Sequence, residues 1–381
     1  MESKYNKIIK FTKELVRIPS QSGIDGEKNV ASVVFDKLAG FGFKPRIIGQ
    51  KAHPSVICQV GKGRGKIVWL ESCLDTAPAG DKKLWDYPPF AGKTVGNKMF
   101  GRGAADSKVG IALFCYLARE LNEDKDFNGS LFLGFDADEQ SGNFTGIGEI
   151  IKKAPKTDVC VLGYQGMDEI SIGARGWLRL KLTTRGLAAH TGSRSQKGVN
   201  AIHLMARATA AITEIKLEVA GGPFFEFGPA LNFAQISGGT AINVVPDKCV
   251  ADIDIRLLPG QTKDKIIGLI TRTLEELKTK NRSPAYDLEI LQFEPAYLTN
   301  PEDDFIRIIS ARAREILHKQ IPLAASGQGS VGNVISQLGM PVINAFGCAS
   351  GNVHAPNEWI DIGTIAPVFE IYKKAIIEYC Q

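Results

Sequence analysis

The sequence predicts an α/β protein: a larger domain with a mixed, mostly parallel sheet and flanking helices, plus an inserted two-layer α+β domain. Short apolar runs alternate with amphipathic helical segments near both ends of the chain, which is typical of a parallel sheet covered by helices. Between them lie strands with alternating polar and apolar residues, which indicate a sheet with one exposed face. At 381 residues the chain is also long for one core, so two domains are expected.

The first part of the chain supplies most of the larger domain. Apolar residues recur at helical spacing in three segments, which are 5–18, 28–43 and 107–121. Short apolar runs predict four buried strands, which are 55–60, 66–72, 129–138 and 159–164.

The pattern changes near Gly173. Three segments then have the alternation of half-exposed strands, and these are 176–186, 248–260 and 286–296. Helical spacing recurs at about 200–215 and 263–279. From Asp303 the pattern of helix followed by strand returns. The predicted division is therefore 1–173 and 297–381 for the larger domain, with 174–296 inserted as a lid or dimerisation domain.

Composition excludes several classes of function. The net charge is only +5, and the basic residues are scattered, so nucleic acid is not an expected partner. No apolar stretch approaches the roughly 20 residues of a membrane helix, so no membrane partner is expected. The N-terminus lacks the apolar core of a signal peptide, and the seven cysteines have no paired spacing. These features predict a cytoplasmic protein with free thiols.

Polar residues follow the predicted strands of the larger domain, where an open α/β sheet carries its site. They are Cys73, Asp75, Asp106, Glu139, Gln140, Tyr164, Gln165 and His354. Each has a simpler interpretation when taken alone. Asp106 or Ser107 could cap the helix 107–121, "DADEQSG" could be a solvated loop, and His354 could be a hydrogen-bonded loop histidine. Their occurrence at successive strand ends favours a common site.

Several motifs resemble those of one enzyme family. "GRGAADSK", "DADEQSG", "NVHAPNE", "RGLAAHTGSRSQKGVNAI" and "ISGGTAINVVPDKCVADIDIRLLPG" are similar in order and wording to motifs of the aminoacylase, succinyl-diaminopimelate desuccinylase and glutamate carboxypeptidase family of co-catalytic metallopeptidases. The resemblance implies two metals on a His, two Glu, a bridging Asp and a late His. It assigns the bridge to Asp106, the general base to Glu139 and the late His to His354. Asp75 would orient the first metal-binding His.

Three of the five implied ligand positions are changed. The first His is replaced by Cys73 and the second Glu of its pair by Gln140. The remaining Glu falls on Tyr164, or on Gln165 if the turn is aligned one residue later. Neutral amides are poor zinc ligands beside thiolate, imidazole and carboxylate, so at most one zinc ion, or none, is expected. Its ligands would be Cys73, Asp106 and His354 with a water, whose proton Glu139 would accept.

Two alternatives remain open at this point. Cys73 could act as a nucleophile with His354 as its proton partner, although nearby carboxylates would raise the pKa of the thiol. Alternatively, the metal has been lost, Cys73 packs as a small apolar residue, and the protein only binds carboxylate ligands.

The resemblance also implies substrate-binding residues in the insertion. Arg256 would bind a substrate carboxylate, although it could instead be a strand-end arginine paired with an acid. Asn243 would contact the substrate. His190 would donate a hydrogen bond to the reacting carbonyl in a partner subunit, which requires a homodimer. The predicted activity is hydrolysis of an amide bond in an N-acyl amino acid or small peptide with a free carboxylate.

Overall fold

The computed structural model describes residues 3–61, 63, 65–195, 197–218, 222–278 and 285–381. Thr279, at the end of the predicted helix 263–279, lies outside these residues. The chain divides into two compact units. The first comprises Met1–Gly173, Thr299–Ser326 and Ser330–Gln381, and the second comprises Ala174–Leu298 with Gly327–Gly329. Nothing in the sequence pattern indicated that the short segment Gly327–Gly329 belongs to the second unit.

The helices and strands are named in chain order. The described helices are α1 (Lys4–Val16), α2 (Lys28–Gly40), α3 (Val109–Glu123), α4 (Thr145–Ile151), α5 (Ala201–Thr213), α6 (Lys263–Glu276), α7 (Asp304–Leu317), α8 (Gly332–Ile335) and α9 (Ile365–Tyr379). The described strands are β1 (Arg46–Gly49), β2 (Pro54–Val60), β3 (Ile67–Cys73), β4 (Lys93–Val95), β5 (Lys98–Phe100), β6 (Ser130–Asp136), β7 (Val159–Leu162), β8 (Ile170–Ala174), β9 (Gly176–Arg185), β10 (Ala230–Gly238), β11 (Lys248–Leu257), β12 (Ala285–Glu294), β13 (Tyr297–Leu298), β14 (Leu323–Ser326), β15 (Val342–Ile343), β16 (Ser350–Gly351) and β17 (Trp359–Asp361).

The main sheet of the first unit brings the site residues to one edge. Its strand order is β1-β2-β6-β3-β7-β15. Strands β6, β3, β7 and β15 run parallel, while β1 and β2 form an antiparallel edge. In register, Cys73 at the end of β3 lies beside Asp136 at the end of β6. Residues that follow these strands therefore meet at the carboxyl edge of the sheet.

Helix α3 does not begin as the capping interpretation expected. Its N-cap residue is Lys108, which makes no side-chain capping hydrogen bond. Asp106 and Ser107 lie in the preceding turn Ala104–Lys108 with non-helical backbone angles. Their side chains bond to other site residues instead, so the prediction of a capping role is wrong for both.

The second unit is a two-layer α+β structure. Its four-stranded antiparallel sheet has the order β10-β11-β9-β12. The apolar side chains of β9 and β11 alternate with polar ones and share a buried core with the inner faces of α5 and α6. The predicted fold class is confirmed, because both the mostly parallel sheet and the inserted α+β layer are present.

Two further properties concern the chain's environment. Within the described residues, no helix combines the length and the apolar character that crossing a membrane requires. All seven cysteines are free and buried.

Candidate active site

A buried ion pair holds the turn that carries Asp106. The side chain of Glu358 is fully buried and pairs with Arg102, with 2.5 Å between Oε2 and Nη1. The other oxygen of Glu358 accepts hydrogen bonds from the backbone N–H groups of Ala105 (2.9 Å) and Asp106 (3.2 Å). Glu358 thus fixes the backbone of the turn and leaves the carboxylate of Asp106 for other partners.

The carboxylate of Asp106 lies among the residues that the sequence singled out. Its Oδ2 atom is 2.7 Å from Nε2 of His354 and accepts a 3.3 Å hydrogen bond from the amide of Gln140. Its Oδ1 atom faces Sγ of Cys73 at 3.9 Å. The bond to Asp106 raises the pKa of His354, whose side chain is 51% exposed. Asp106 is therefore the common centre of these side chains.

Cys73 is packed as a buried thiol. It is 1% exposed, and its Sγ lies 3.2 Å from Oγ of Ser107, which also bonds to Ser72. Burial, followed by the charges of Asp106 and Glu139, raises the pKa of the thiol well above its usual value. The thiol therefore keeps its proton at neutral pH, which disfavours nucleophilic attack by a thiolate.

Glu139 is joined to Tyr164. The phenol of Tyr164 donates a 2.9 Å hydrogen bond to Oε1 of Glu139. Glu139 is 9% exposed, so the interpretation of "DADEQSG" as a solvated loop is wrong at this residue. Burial and the charge of Asp106 raise the pKa of Glu139 well above its usual value.

Asp75 holds the loop that carries Glu139 and Gln140. Its two carboxyl oxygens accept hydrogen bonds from the backbone N–H groups of Glu139 (3.0 Å) and Gln140 (2.9 Å). Burial raises the pKa of Asp75 to about 7. Asp75 therefore holds the backbone of the loop that carries Glu139 and Gln140.

A second pair of acids lies behind Cys73, and sequence analysis missed it. Glu71 and Asp136 are fully buried on the parallel strands β3 and β6, and Trp69 donates a 2.6 Å hydrogen bond to Oε2 of Glu71. Burial raises the pKa of Glu71 to about 8 and that of Asp136 well above its usual value. The sequence did contain a signal for this pair, because Glu71 and Asp136 are charged residues within the apolar runs 66–72 and 129–138.

The second unit brings His190 and Asn243 together. Residues His190 and Val244 form an isolated antiparallel bridge, and the N–H of Thr191 bonds to the carbonyl of Asn243 at 3.0 Å. Both His190 and Asn243 are exposed. They are therefore neighbours on one surface of this unit.

Arg256 lies on β11 and is paired with an acid. Its Nε atom donates a 2.7 Å hydrogen bond to Asp254, whose other oxygen is 3.4 Å from Nε of Arg179. The acid-paired arginine that sequence analysis gave as the alternative is present. The bond through Nε holds the guanidinium in one orientation.

The residues at the ligand positions do not fit a pair of divalent metal ions. Gln140 directs its amide N–H at Asp106, and Tyr164 directs its hydroxyl at Glu139, so donors stand where metal-binding carboxylates are expected. Cys73 and His354 face different oxygens of Asp106. Across the described ranges, no group of three or more His, Cys, Asp or Glu side chains is arranged to hold a metal. A single zinc on Cys73, Asp106 and His354 stays a prediction.

Comparison with known proteins agrees with the fold. The profile of the peptidase dimerisation domain matches residues 172–282. The chain is 25% identical over 386 residues to a protein of Hydrogenovibrio crunogenus named succinyl-diaminopimelate desuccinylase, and the match covers 98% of each protein.

Two solved structures have the same architecture over nearly the whole chain. One is the M20 family metallo-carboxypeptidase Sso-CP2 of Sulfolobus solfataricus, with 18% identity, a TM-score of 0.77 and coverage of 100% of this chain and 99% of that one. The other is a Bacillus subtilis protein described as a dinuclear metal binding peptidase, with 13% identity, a TM-score of 0.75 and coverage of 99% and 98%. At these identities the likeness concerns the fold.

Proposed function

Because the chain belongs to the M20 family of metallopeptidases and related amidohydrolases, we propose that it hydrolyses the amide bond of a small substrate at an altered site. The substrate class is an N-acyl amino acid or a small peptide with a free carboxylate. The observation that carries this proposal is that Glu139 and Asp106 lie in one buried cluster at the carboxyl edge of the sheet.

Glu139 is the proposed general base. Burial and the charge of Asp106 raise the pKa of Glu139, which makes its carboxylate a stronger base towards the proton of water. Tyr164 holds one oxygen of Glu139 by the 2.9 Å hydrogen bond and so fixes the direction of the other. Asp75 fixes the backbone of the same residue. The proton of the attacking water would pass to Glu139 and from there to the leaving amine.

The altered site takes at most one metal ion. The ligands of a single zinc would be Cys73, Asp106 and His354, which offer sulfur, oxygen and nitrogen donors. The donor groups of Gln140 and Tyr164 are what argue against a second ion.

The insertion supplies the proposed substrate contacts. Arg256 suits a substrate carboxylate because its guanidinium offers parallel N–H donors and is already oriented by Asp254. Asn243 would contact the same substrate. His190 would donate to the developing oxyanion in the site of a partner subunit. This role requires a homodimer through residues 174–296, which the match to a dimerisation domain supports. A cytoplasmic location fits the seven free cysteines.

The geometry does not favour Cys73 as the nucleophile. The thiol is buried, protonated and bonded to Ser107, and the surrounding carboxyl groups oppose its ionisation. Cys73 is better explained as packing beside Asp106.

Turnover of a panel of N-acyl amino acids and dipeptides tests the proposal. Glu139→Gln keeps the shape of the side chain and removes the base, so it should lower the rate of amide hydrolysis by about 100-fold or more. The matched control is Glu149→Gln on the exposed side of α4, which should hydrolyse at the wild-type rate.

Three results would contradict the proposal. The first is equal turnover by wild type and Glu139→Gln. The second is loss of wild-type turnover after iodoacetamide treatment, which would favour thiol chemistry. The third is the absence of turnover on every amide while carboxylate ligands still raise the melting temperature, as a binding-only protein would show.

A further inference from the structure

The residues at the implied ligand positions differ from metal-binding carboxylates in one respect, because they add hydrogen-bond donors to the site. A carboxylate only accepts hydrogen bonds, whereas a phenol and a primary amide donate them. By resemblance, Gln140 and Tyr164 stand where metal-binding carboxylates are expected. Each of them donates to a carboxylate that remains, Gln140 to Asp106 at 3.3 Å and Tyr164 to Glu139 at 2.9 Å.

His354 completes this pattern. Its Nε2 atom, which could otherwise bind a metal, lies 2.7 Å from Oδ2 of Asp106. We use the name donor set for Tyr164, Gln140 and His354. Every member lies within hydrogen-bonding distance of a buried carboxyl group, so a carboxylate oxygen that could bind an ion already has a donor as its partner.

The cationic side chains near the site point elsewhere. Lys108 is fully buried, but its Nζ donates to the backbone carbonyls of Leu15 (2.9 Å) and Ile18 (2.6 Å). Arg102 is paired with Glu358. Within the described part of the chain, Asp106 has His354 as its ion-pair partner. The donor set is therefore what compensates Asp106 and Glu139.

We infer that the donor set replaces the two metal ions as the partner of Asp106 and Glu139, so that the folded site is assembled without any divalent metal. Two facing carboxylates repel each other unless a cation lies between them, whereas a donor and a carboxylate attract. The changes at Gln140 and Tyr164 then act together, since either change alone would leave part of the metal site in place. The inference concerns the same site as the proposed hydrolysis but does not depend on turnover.

Metal content and thermal unfolding of the full-length protein, purified without a metal-affinity tag, test the inference. We expect well under one equivalent of zinc, and the same melting temperature with EDTA and with added zinc. A specifically bound ion at about 100 times its Kd would raise the melting temperature by roughly 5 °C. A rise of that size in the wild type, or a metal retained through purification, would overturn the inference.

A pair of double variants provides the converse test. Gln140→Glu with Tyr164→Glu turns both donors into acceptors, so zinc should raise its melting temperature by several degrees. The matched control, Gln140→Leu with Tyr164→Phe, also loses both donors but gains no ligand, so zinc should leave its melting temperature unchanged. An equal response of the two variants to zinc would contradict the inference. If either double variant fails to fold, the single variants at the half-buried position Gln140 take their place. Gln140→Glu is then the test variant, and Gln140→Leu is its control.

The outcomes separate this inference from the proposed function. If the wild type is metal-free and does not hydrolyse amides, the inference about the donor set holds and the proposed hydrolysis is wrong. If the wild type hydrolyses amides and depends on zinc, the proposed hydrolysis holds and the inference about the donor set is wrong.

Discussion

The part of the site that holds the backbone of Asp106 contrasts with the part that surrounds its carboxylate. The first, which we call the anchor, consists of Arg102, Glu358 and the turn Ala104–Lys108, and it is buried and joined by the Arg102–Glu358 ion pair and two hydrogen bonds to the backbone. The second, which we call the ligand cluster, gathers several carboxyl groups whose pKa values burial raises. Burial raises the pKa of Glu358 as well, but this carboxylate is paired with the guanidinium of Arg102. The carboxyl groups of the ligand cluster are instead held by Gln140, Tyr164, His354 and backbone N–H groups.

This contrast separates what fixes the backbone of the turn from what surrounds the carboxylate of Asp106. The turn is fixed by hydrogen bonds from Glu358 to backbone N–H groups, and these do not depend on which side chains surround Asp106. Changing Cys73, Gln140 or Tyr164 should therefore leave the backbone of this turn in place. The backbone of the turn is therefore set by the anchor, and the surroundings of the Asp106 carboxylate are set by the ligand cluster.

The largest expected effect comes from breaking the anchor. Arg102→Met removes one partner of a buried ion pair and leaves the charge of Glu358 uncompensated, so it should lower the free energy of unfolding by about 3–5 kcal/mol. Urea denaturation of the purified variant measures this change.

The matched control for Arg102→Met is Arg307→Met. Arg307 pairs with Asp304 on the exposed face of α7, so its loss should change the free energy of unfolding by less than about 1 kcal/mol. Equal effects of the two variants would show that the anchor does not hold the site.

The anchor also marks what sequence reasoning could not reach. Apolar runs and motif order predicted the strands that carry Cys73, Glu139 and Tyr164, because strand burial and connection rules are local or topological. The link between Arg102 and Glu358 joins residues that are far apart in the chain, and no local pattern indicates it. The bond from Tyr164 to Glu139 was missed for the same reason, since alignment identified Tyr164 only as a lost ligand.

The second prediction concerns the ligand cluster, and it has the opposite sign. Burial raises the pKa of Asp75 to about 7, above its unfolded value, so the folded state holds an extra proton between these two values and stability falls as pH rises through that range. Asp75→Asn removes this dependence. Relative to wild type, its free energy of unfolding should rise by on the order of 4 kcal/mol between about pH 4 and about pH 8.

Urea denaturation of both proteins across this pH range, with EDTA present throughout, gives the comparison. Asp75→Asn also weakens the hydrogen bonds to the loop of Glu139 and Gln140, but that loss is the same at every pH. The part of the difference in unfolding free energy that varies with pH therefore reports the charge of Asp75. A difference between the two proteins that does not vary with pH would show that burial does not raise the pKa of Asp75.

The smallest expected effect belongs to His354, at the exposed rim of the ligand cluster. The bond to Asp106 raises the pKa of His354, so the stabilisation from this pair is complete below the unfolded pKa, about 6.5, and is lost as pH rises through the folded value. Because the side chain is 51% exposed, solvent screening limits the contribution to less than about 1 kcal/mol. His354→Asn keeps an N–H donor but cannot be charged.

The difference in unfolding free energy between wild type and His354→Asn should therefore shrink as pH rises from about 5 to about 9. His203→Asn, an exposed histidine on α5 in the other unit, is the matched control and should show no such trend. A constant difference for His354→Asn would mean that the imidazole contributes as a neutral hydrogen-bond donor. The Asp106–His354 contact would then belong with the neutral donors Gln140 and Tyr164, and the donor set would compensate Asp106 without any positive charge.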